Sequence, residues 1–263
     1  MAKLKNSTFN VFYFFLTCYV SANSSPIAIT SVTSDLEQAK IDLNEGGSLT
    51  ATGYEDPLME YMLQQSGLGL VAELVRDDLS SWTDHLPGAS ISVFSENGLN
   101  ESVVSATVSD GTALAFSSVS SYKVFDVQDV SSITFSVDAT SIIDLEAESY
   151  GDFASSQWFF NIGLYGDLNA DGNAETLLDS KEYWSGFFDA FDGNSLNLID
   201  NQKLSISYNP EAIFNGTLKL QCTLTADAYV EITPPIAVPE PSAANMIVVG
   251  LAVLLPLVRF RKK

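Results

Sequence analysis

The chain has 263 residues, 46 % hydrophobic and 17 % charged, with 33 acids against 12 Lys and Arg and a net charge of −21. That balance excludes nucleic-acid binding and attraction to anionic lipid, and it favours solubility and divalent cations. Between Pro26 and Val238 stand 32 acids and six bases, so this body carries 6 − 32 = −26.

Residues 1–24 have the layout of a secretory signal peptide. Lys3 and Lys5 precede an apolar run from Phe9 to Val20, and small residues follow at Ser21, Ala22 and Ser24. Such a core is too short to span a bilayer stably, which disfavours a retained anchor. Thr17 before Cys18 disfavours a lipid-modified cysteine. The expectation is export by the secretion translocon, with signal peptidase cleaving near Ala22 or Ser24. Cys18 leaves with the leader, so Cys222 remains as a lone thiol and no internal disulfide can form.

Residues 25–233 are expected to form one acidic, β-rich extracytoplasmic domain. Early in it, residues 56–82 suit one or two short helices. Leu58, Met62 and Leu63 share one helical face, Leu70, Leu74, Val75 and Leu79 another, with Asp56-Pro57 as a start and Gly67 as a stop. Beyond it the period is two. "SSITFSVDA" alternates through Ile133, Phe135 and Val137, "QWFFNIGLY" through Trp158, Phe160, Ile162 and Leu164, and "KLSISY" through Leu204, Ile206 and Tyr208. "TLKLQCTLTADAYVEI" places Leu218, Leu220, Cys222, Leu224, Ala226, Ala228, Val230 and Ile232 on one face. Turn-rich pieces separate these runs, among them "SENGLNE" and "FDGNS". The fold class expected is all-β, an antiparallel β-sandwich or jelly roll with a helical excursion at 56–82 and a C-terminal hydrophobic helix.

The most specific internal motif is "DLNADGNAE". Asp167, Asn169 and Asp171 occupy positions 1, 3 and 5 of a calcium-loop pattern, Gly172 the sharp turn, Asn173 position 7 and Glu175 position 9. Position 12 is Leu178 rather than an acid, so an EF-hand does not fit. The stretch resembles calcium loops set between strands in extracellular β proteins, with Asn169 lowering the charge. The same residues suit an ordinary turn, and the acid at position 9 tips the reading towards a structural calcium ion. Asp189 and Asp192 are a weaker second cation candidate, better read as a turn. Tyr183, Trp184, Phe187, Phe188 and Phe191 gather in "KEYWSGFFDAF", where core packing competes with sugar stacking. His85 is the single histidine and no G-x-S-x-G elbow occurs, so a hydrolytic triad has little support.

Pro234, Pro235, Pro239 and Pro241 make 234–242 a stiff linker. Residues 243–263 then form a hydrophobic segment with a basic end. Ala243 to Val258 is sixteen residues with an internal Pro256, about 24 Å as a helix against a hydrocarbon core of roughly 30 Å. That suits a temporary membrane stop held by Arg259, Arg261, Lys262 and Lys263. The order Pro239-Glu240-Pro241, hydrophobic segment, basic end closely resembles the PEP-CTERM sorting signal of Gram-negative bacteria. The resemblance covers the last 26 residues and is strengthened by the N-terminal leader. It implies recognition of Pro239, Glu240 and Pro241 by an exosortase, a transpeptidase-like membrane cysteine protease, with removal of the tail. It also implies association with exopolysaccharide and biofilm matrix.

The expected function is therefore that of an exported protein, briefly tethered in the inner membrane and then placed at the cell surface or in the matrix, with a structural or adhesive role. Two alternatives remain: a secreted polysaccharide hydrolase, and a calcium-dependent carbohydrate-binding module needing exposed aromatics beside the Asp167 loop.

Overall fold

A computed structural model of the chain describes residues 25–76 and 81–233. Fourteen strands follow in order: β1 (Ile27–Asp35), β2 (Lys40–Leu43), β3 (Ser48–Gln65), β4 (Gly69–Arg76), β5 (Ser81–Leu86), β6 (Ala89–Glu96), β7 (Leu99–Thr107), β8 (Gly111–Val130), β9 (Ile133–Ala147), β10 (Asp152–Gly166), β11 (Thr176–Trp184), β12 (Phe188–Phe191), β13 (Asn194–Tyr208) and β14 (Phe214–Ile232). A 3-10 turn at Leu36–Gln38, capped by the Asp35 carboxylate, separates β1 from β2. The expected all-β class and antiparallel pairing are what the chain adopts.

Two seven-stranded antiparallel sheets face each other. The first runs β13-β9-β1-β7-β6-β5, with β2 taking over from β1 along the start of β9. The second runs β11-β10-β14-β8-β3-β4, with β12 and β11 in tandem along the edge of β10. Strands of 15 to 20 residues, β10, β14 and β8, form the middle of the second sheet, and the 15-residue β9 and β13 lie at one side of the first, well beyond the usual length. Register shifts at Ala51/Gly53, Glu55/Leu58, Leu164/Tyr165 and Phe214/Gly216 relieve the strain such length imposes, since a bulge bends and twists its strand.

Among the described residues of 56–82 the helical excursion is replaced by strand: β3, β4 and the start of β5 occupy them. Met59, Tyr61 and Leu63 point inward in strict alternation, while Leu58 and Met62 lie on the outer side of the same strand. Those two outward apolar residues imitate a helical face at i and i+4. Asp56-Pro57 is a β-bulge, where a residue without an N–H costs no ladder bond. Gly67, at φ 80°, turns the hairpin from β3 to β4. Asp192 and Gly193 also turn the chain, both at positive φ, but at a corner: β12 pairs in one sheet and β13 in the other. The expected C-terminal helix lies outside the described residues.

Core composition varies along the sandwich. At one end Ala28, Ala106, Ala115, Ala226 and Ala228 are buried, and hydroxyls from opposing sheets touch: Thr30 with Ser156, and Ser102 with Ser117 at 2.5 Å. Nearer the middle, Asn100 donates to Ser121 at 2.7 Å and Cys222 meets Ser34 at 3.2 Å. Phe125, Phe135, Ile133, Leu164 and Leu218 fill the other end. Satisfied polar contacts between facing sheets fix their mutual register, which apolar packing alone specifies less strictly. Cys222 is a free, buried thiol, pushed up to about 11 by desolvation, which suits packing rather than chemistry.

Candidate functional site

The two outer faces differ in chemistry. On the first sheet, outward positions of β9 and β7 include Asp138, Asp144, Glu146 and Glu101, in keeping with the acidic body. On the second, the three central strands β10, β14 and β8 present mainly hydroxyls, amides and rings. Among their outward residues are Gln157, Phe159, Asn161 and Tyr165 of β10, Gln221, Thr223 and Thr225 of β14, and Phe116, Ser118 and Tyr122 of β8. Within that strip the outward charges include Asp126, Asp227, Glu231 and Lys219. A strip rich in rings, amides and hydroxyls and sparse in charge, on a body of −26, is a surface on which a ligand can be held with little anion desolvation.

Two depressions break this face. The first has a volume of about 440 Å³ and lies between the β3 bulge and the end of the 167–175 loop, lined by Glu55, Asp56, Tyr122, Tyr165, Glu175 and Lys219 among others. Gly163 carries no side chain, and a Cβ there would come within 3.1 Å of the Tyr165 ring. Tyr165 can therefore lie across the strand and donate its hydroxyl to Gln221 Oε1 at 2.8 Å, while Gln221 Nε2 donates to the Tyr122 hydroxyl at 3.2 Å. Lys219 Nζ sits 5.1 Å from the Tyr122 ring centre and 5.8 Å from that of Tyr165, and pairs with Glu55 at 3.2 Å.

The second depression, about 420 Å³, lies on the same face by the β11 edge and is lined by Gln157, Phe159, Glu182, Trp184, Thr225 and Asp227, with the backbone of the buried Trp158 between. Trp184 pairs with Phe159, which pairs with Thr225 and then Ser118, so one cross-strand row forms its floor. Trp184 is 65 % exposed, yet its indole N–H donates to Gln157 Oε1 at 3.2 Å, and Gln157 Nε2 donates to Asp227 Oδ2 at 2.9 Å. Burial pushes the Asp227 carboxyl above its ordinary range, with the Gln157 amide acting the other way. The neighbouring aromatics divide as alternation requires. Tyr183 turns inward against Trp158 at 5.1 Å and donates to Asp200 at 2.8 Å, its hydroxyl pushed up to about 12 by desolvation and then by that carboxylate. Phe188 packs against the core, whereas Trp184, Phe187 and Phe191 are exposed.

The loop singled out for calcium joins β10 to β11. Asp167 is buried and anchored by its own N–H to Thr217 O at 3.0 Å. Its carboxylate accepts from the N–H of Asp171 at 3.2 Å and of Gly172 at 2.7 Å, and Asn169 Oδ1 accepts from the same Asp171 N–H at 3.3 Å. Asp171 Oδ1 accepts from Asn173 N–H at 2.8 Å, and its Oδ2 from the Asn169 amide at 2.9 Å. Ala170 at φ 58° and Gly172 at φ 92° make the bends. The structure thus brings together the side chains at positions 1, 3 and 5. Asn173 turns its carbonyl to the Glu175 N–H at 3.1 Å, and Glu175 lines the Tyr122 cleft. No group of three or more His, Cys, Asp or Glu is clustered for a metal among the described residues. The oxygens at positions 1, 3, 5 and 7 are a mixture of carboxylate, amide and carbonyl, and each accepts from an N–H of the loop itself.

His85 is exposed on β5, opposite Ser90. Asp192 accepts from the Gly151 N–H at 2.8 Å, a corner bond. Pro239, Glu240, Pro241 and the basic end at Arg259, Arg261, Lys262 and Lys263 lie outside the described residues, as do residues 1–24. Among the described residues no helix is long and apolar enough to cross a membrane. No known protein family and no curated protein matches the chain. Among solved structures, the infectious bursal disease virus Gx strain aligns at 10 % identity over 81 % of this chain and 64 % of that one. Its TM-score of 0.10 carries no argument.

Gln157, Asp227, Tyr122 and Tyr165 were not singled out by motif. Their signal is the complement of the core pattern: in β10 and β14 the positions between buried residues hold mainly rings, amides and hydroxyls and few charges.

Proposed function

We propose that this chain is an exported surface or matrix protein, sorted by an exosortase through its PEP tail, whose sandwich body has a structural or adhesive role. The observation that carries the route is the pairing of a leader at 1–24 with the ordered tail of Pro239-Glu240-Pro241, apolar segment and basic end. The contrast between a more acidic outer face and one dominated by rings, amides and hydroxyls supports an adhesive body: one face stays solvated while the other meets a partner. Exosortase, the translocon and signal peptidase are the processing partners in this reading, and exopolysaccharide is the matrix partner.

Intact-mass measurement of the mature chain from a strain with its exosortase tests the route. The expected mass lacks the leader and the segment ending in Arg259 to Lys263. A mature chain that retains this basic end contradicts processing.

A second reading, the calcium-dependent carbohydrate-binding module, is favoured by one observation. Tyr122 and Tyr165 share a cleft with Glu175, the last acid of the 167–175 loop. In that reading a cation held by Asp167, Asn169, Asp171 and the Asn173 carbonyl stiffens the loop, and the loop shapes one wall of the cleft.

A further inference from the structure

An exposed tryptophan on a strand edge ordinarily needs no explanation. Trp184 differs in being held. Its N–H is fixed by Gln157, and Gln157 is fixed by Asp227, so an open ring face, an amide and a carboxylate stand in one preset arrangement beside the Thr225 hydroxyl. Preorganised groups lose little freedom on binding, which is where most affinity is otherwise spent. Asp227 accepts one side-chain hydrogen bond, of the roughly four a carboxylate can take.

We propose that the Trp184 groove binds an uncharged glycan, with a sugar ring stacked on the indole and its hydroxyls met by Gln157, Asp227 and Thr225. A flat ring beside planar hydrogen-bonding groups matches a pyranose, which offers C–H on its faces and O–H around its rim. The groove's charged lining is Glu182 and Asp227, with no cation, so an anionic polysaccharide is repelled. The same face continues along β10 and β14 past Asn161 and Thr223 to the Tyr165 cleft. Six residues separate Phe159 from Tyr165, about 20 Å of strand, a track suited to a linear chain rather than a single sugar.

The assignment deepens the adhesive role proposed above and rests on it for its biological meaning, though binding itself can be measured separately. Affinity electrophoresis of the full chain in a mild non-ionic detergent uses gels containing hydroxyethylcellulose, galactomannan or dextran, with alginate and glycol chitosan as anionic and cationic comparisons. At least one neutral polymer should retard the wild type. Trp184→Ala should weaken that retardation roughly tenfold, equivalent to about 1.4 kcal/mol, and Trp184→Phe should retain part of it. Thermal melts of all three chains should coincide, because the ring is mostly outside the core. Equal retardation of wild type and Trp184→Ala overturns the site, as does the absence of retardation by all three neutral polymers. A Trp184-dependent retardation by alginate or glycol chitosan that exceeds the Trp184-dependent retardation by every neutral polymer overturns the uncharged class. Cell fractionation separates the two failures. A chain that reaches the surface but binds no neutral polymer loses the site alone, whereas one that binds but never leaves the cytoplasm loses the adhesive role.

Discussion

At the scale of single residues, burial decides which polar groups have consequences. Trp158 and Trp184 lie 26 positions apart in sequence, yet one is sealed in the core with its N–H on Asp200 at 3.3 Å, and the other stands open to solvent. Asp227 sits between those extremes. Burial raises its carboxyl above the ordinary value of 3.8, opposed by the Gln157 amide. A carboxyl with a raised folded-state pKa favours folding when protonated. That contribution is full below 3.8 and is lost as pH rises through the folded value. Asp227→Asn keeps an oxygen to accept from Gln157 and removes the charge. It should raise the Tm at pH 7 and lose the advantage near pH 3, where Asp227 is itself protonated. Melts of both chains at the two pH values check this: an equal gain at both, or none at pH 7, contradicts a desolvation cost at this position.

At the scale of elements, turns and bulges set the frame as much as the strands do. Gly98, at φ 82°, ends the tight Asn97-Gly98 turn between β6 and β7, and a Cβ there would lie 2.7 Å from the Tyr54 ring and 3.0 Å from Leu36. Gly67, at φ 80°, turns β3 into β4 with nothing within 4 Å of the same position. Gly67→Ala therefore incurs only the left-handed backbone penalty, about 1–2 kcal/mol, or roughly 2–6 °C in Tm for a domain of this size. Gly98→Ala adds a collision with the ring and should lower the Tm by at least twice as much. Similar losses from the two variants would show that the β6–β7 turn is not packed against Tyr54. The same elements show what sequence reveals. β14 was legible because every second residue from Leu218 to Val230 is buried and each intervening one is not. β3 was not, because its outer side also carries Leu58 and Met62, and two apolar faces erase the period of two. The Asp167 loop was visible as a motif because its oxygen-bearing residues are close in sequence. The Trp184 groove was not, because Gln157, Trp184 and Asp227 meet only through the pairing of β11, β10 and β14.

At the scale of the whole molecule, the charge of the body shapes how any ion effect must be measured. A sandwich of −26 repels itself, and screening by any salt should stabilise it. A rise in Tm on adding calcium is therefore no sign of a site unless it exceeds the rise given by sodium chloride at equal ionic strength. The excess should be modest, because position 3 of the loop is Asn169 and position 12 has no acid. Extracellular calcium modules bind at roughly 10⁻⁴–10⁻³ M. At about 10 mM calcium and a Kd near 1 mM, linkage gives about 1.4 kcal/mol, some 3 °C here. Asp171→Ala is the variant that isolates it. The Asp171 side chain is exposed and bonds only within its own loop, to the Asn173 N–H and the Asn169 amide. The frame should therefore survive its loss, whereas the buried Asp167 holds two backbone N–H groups and would damage the turn. The expected result is a calcium-specific excess in the wild type, none in Asp171→Ala, and the same sodium chloride response in both. An excess that persists in the variant would assign calcium to the diffuse acidic surface, leaving the 167–175 loop as a turn closed by its own hydrogen bonds.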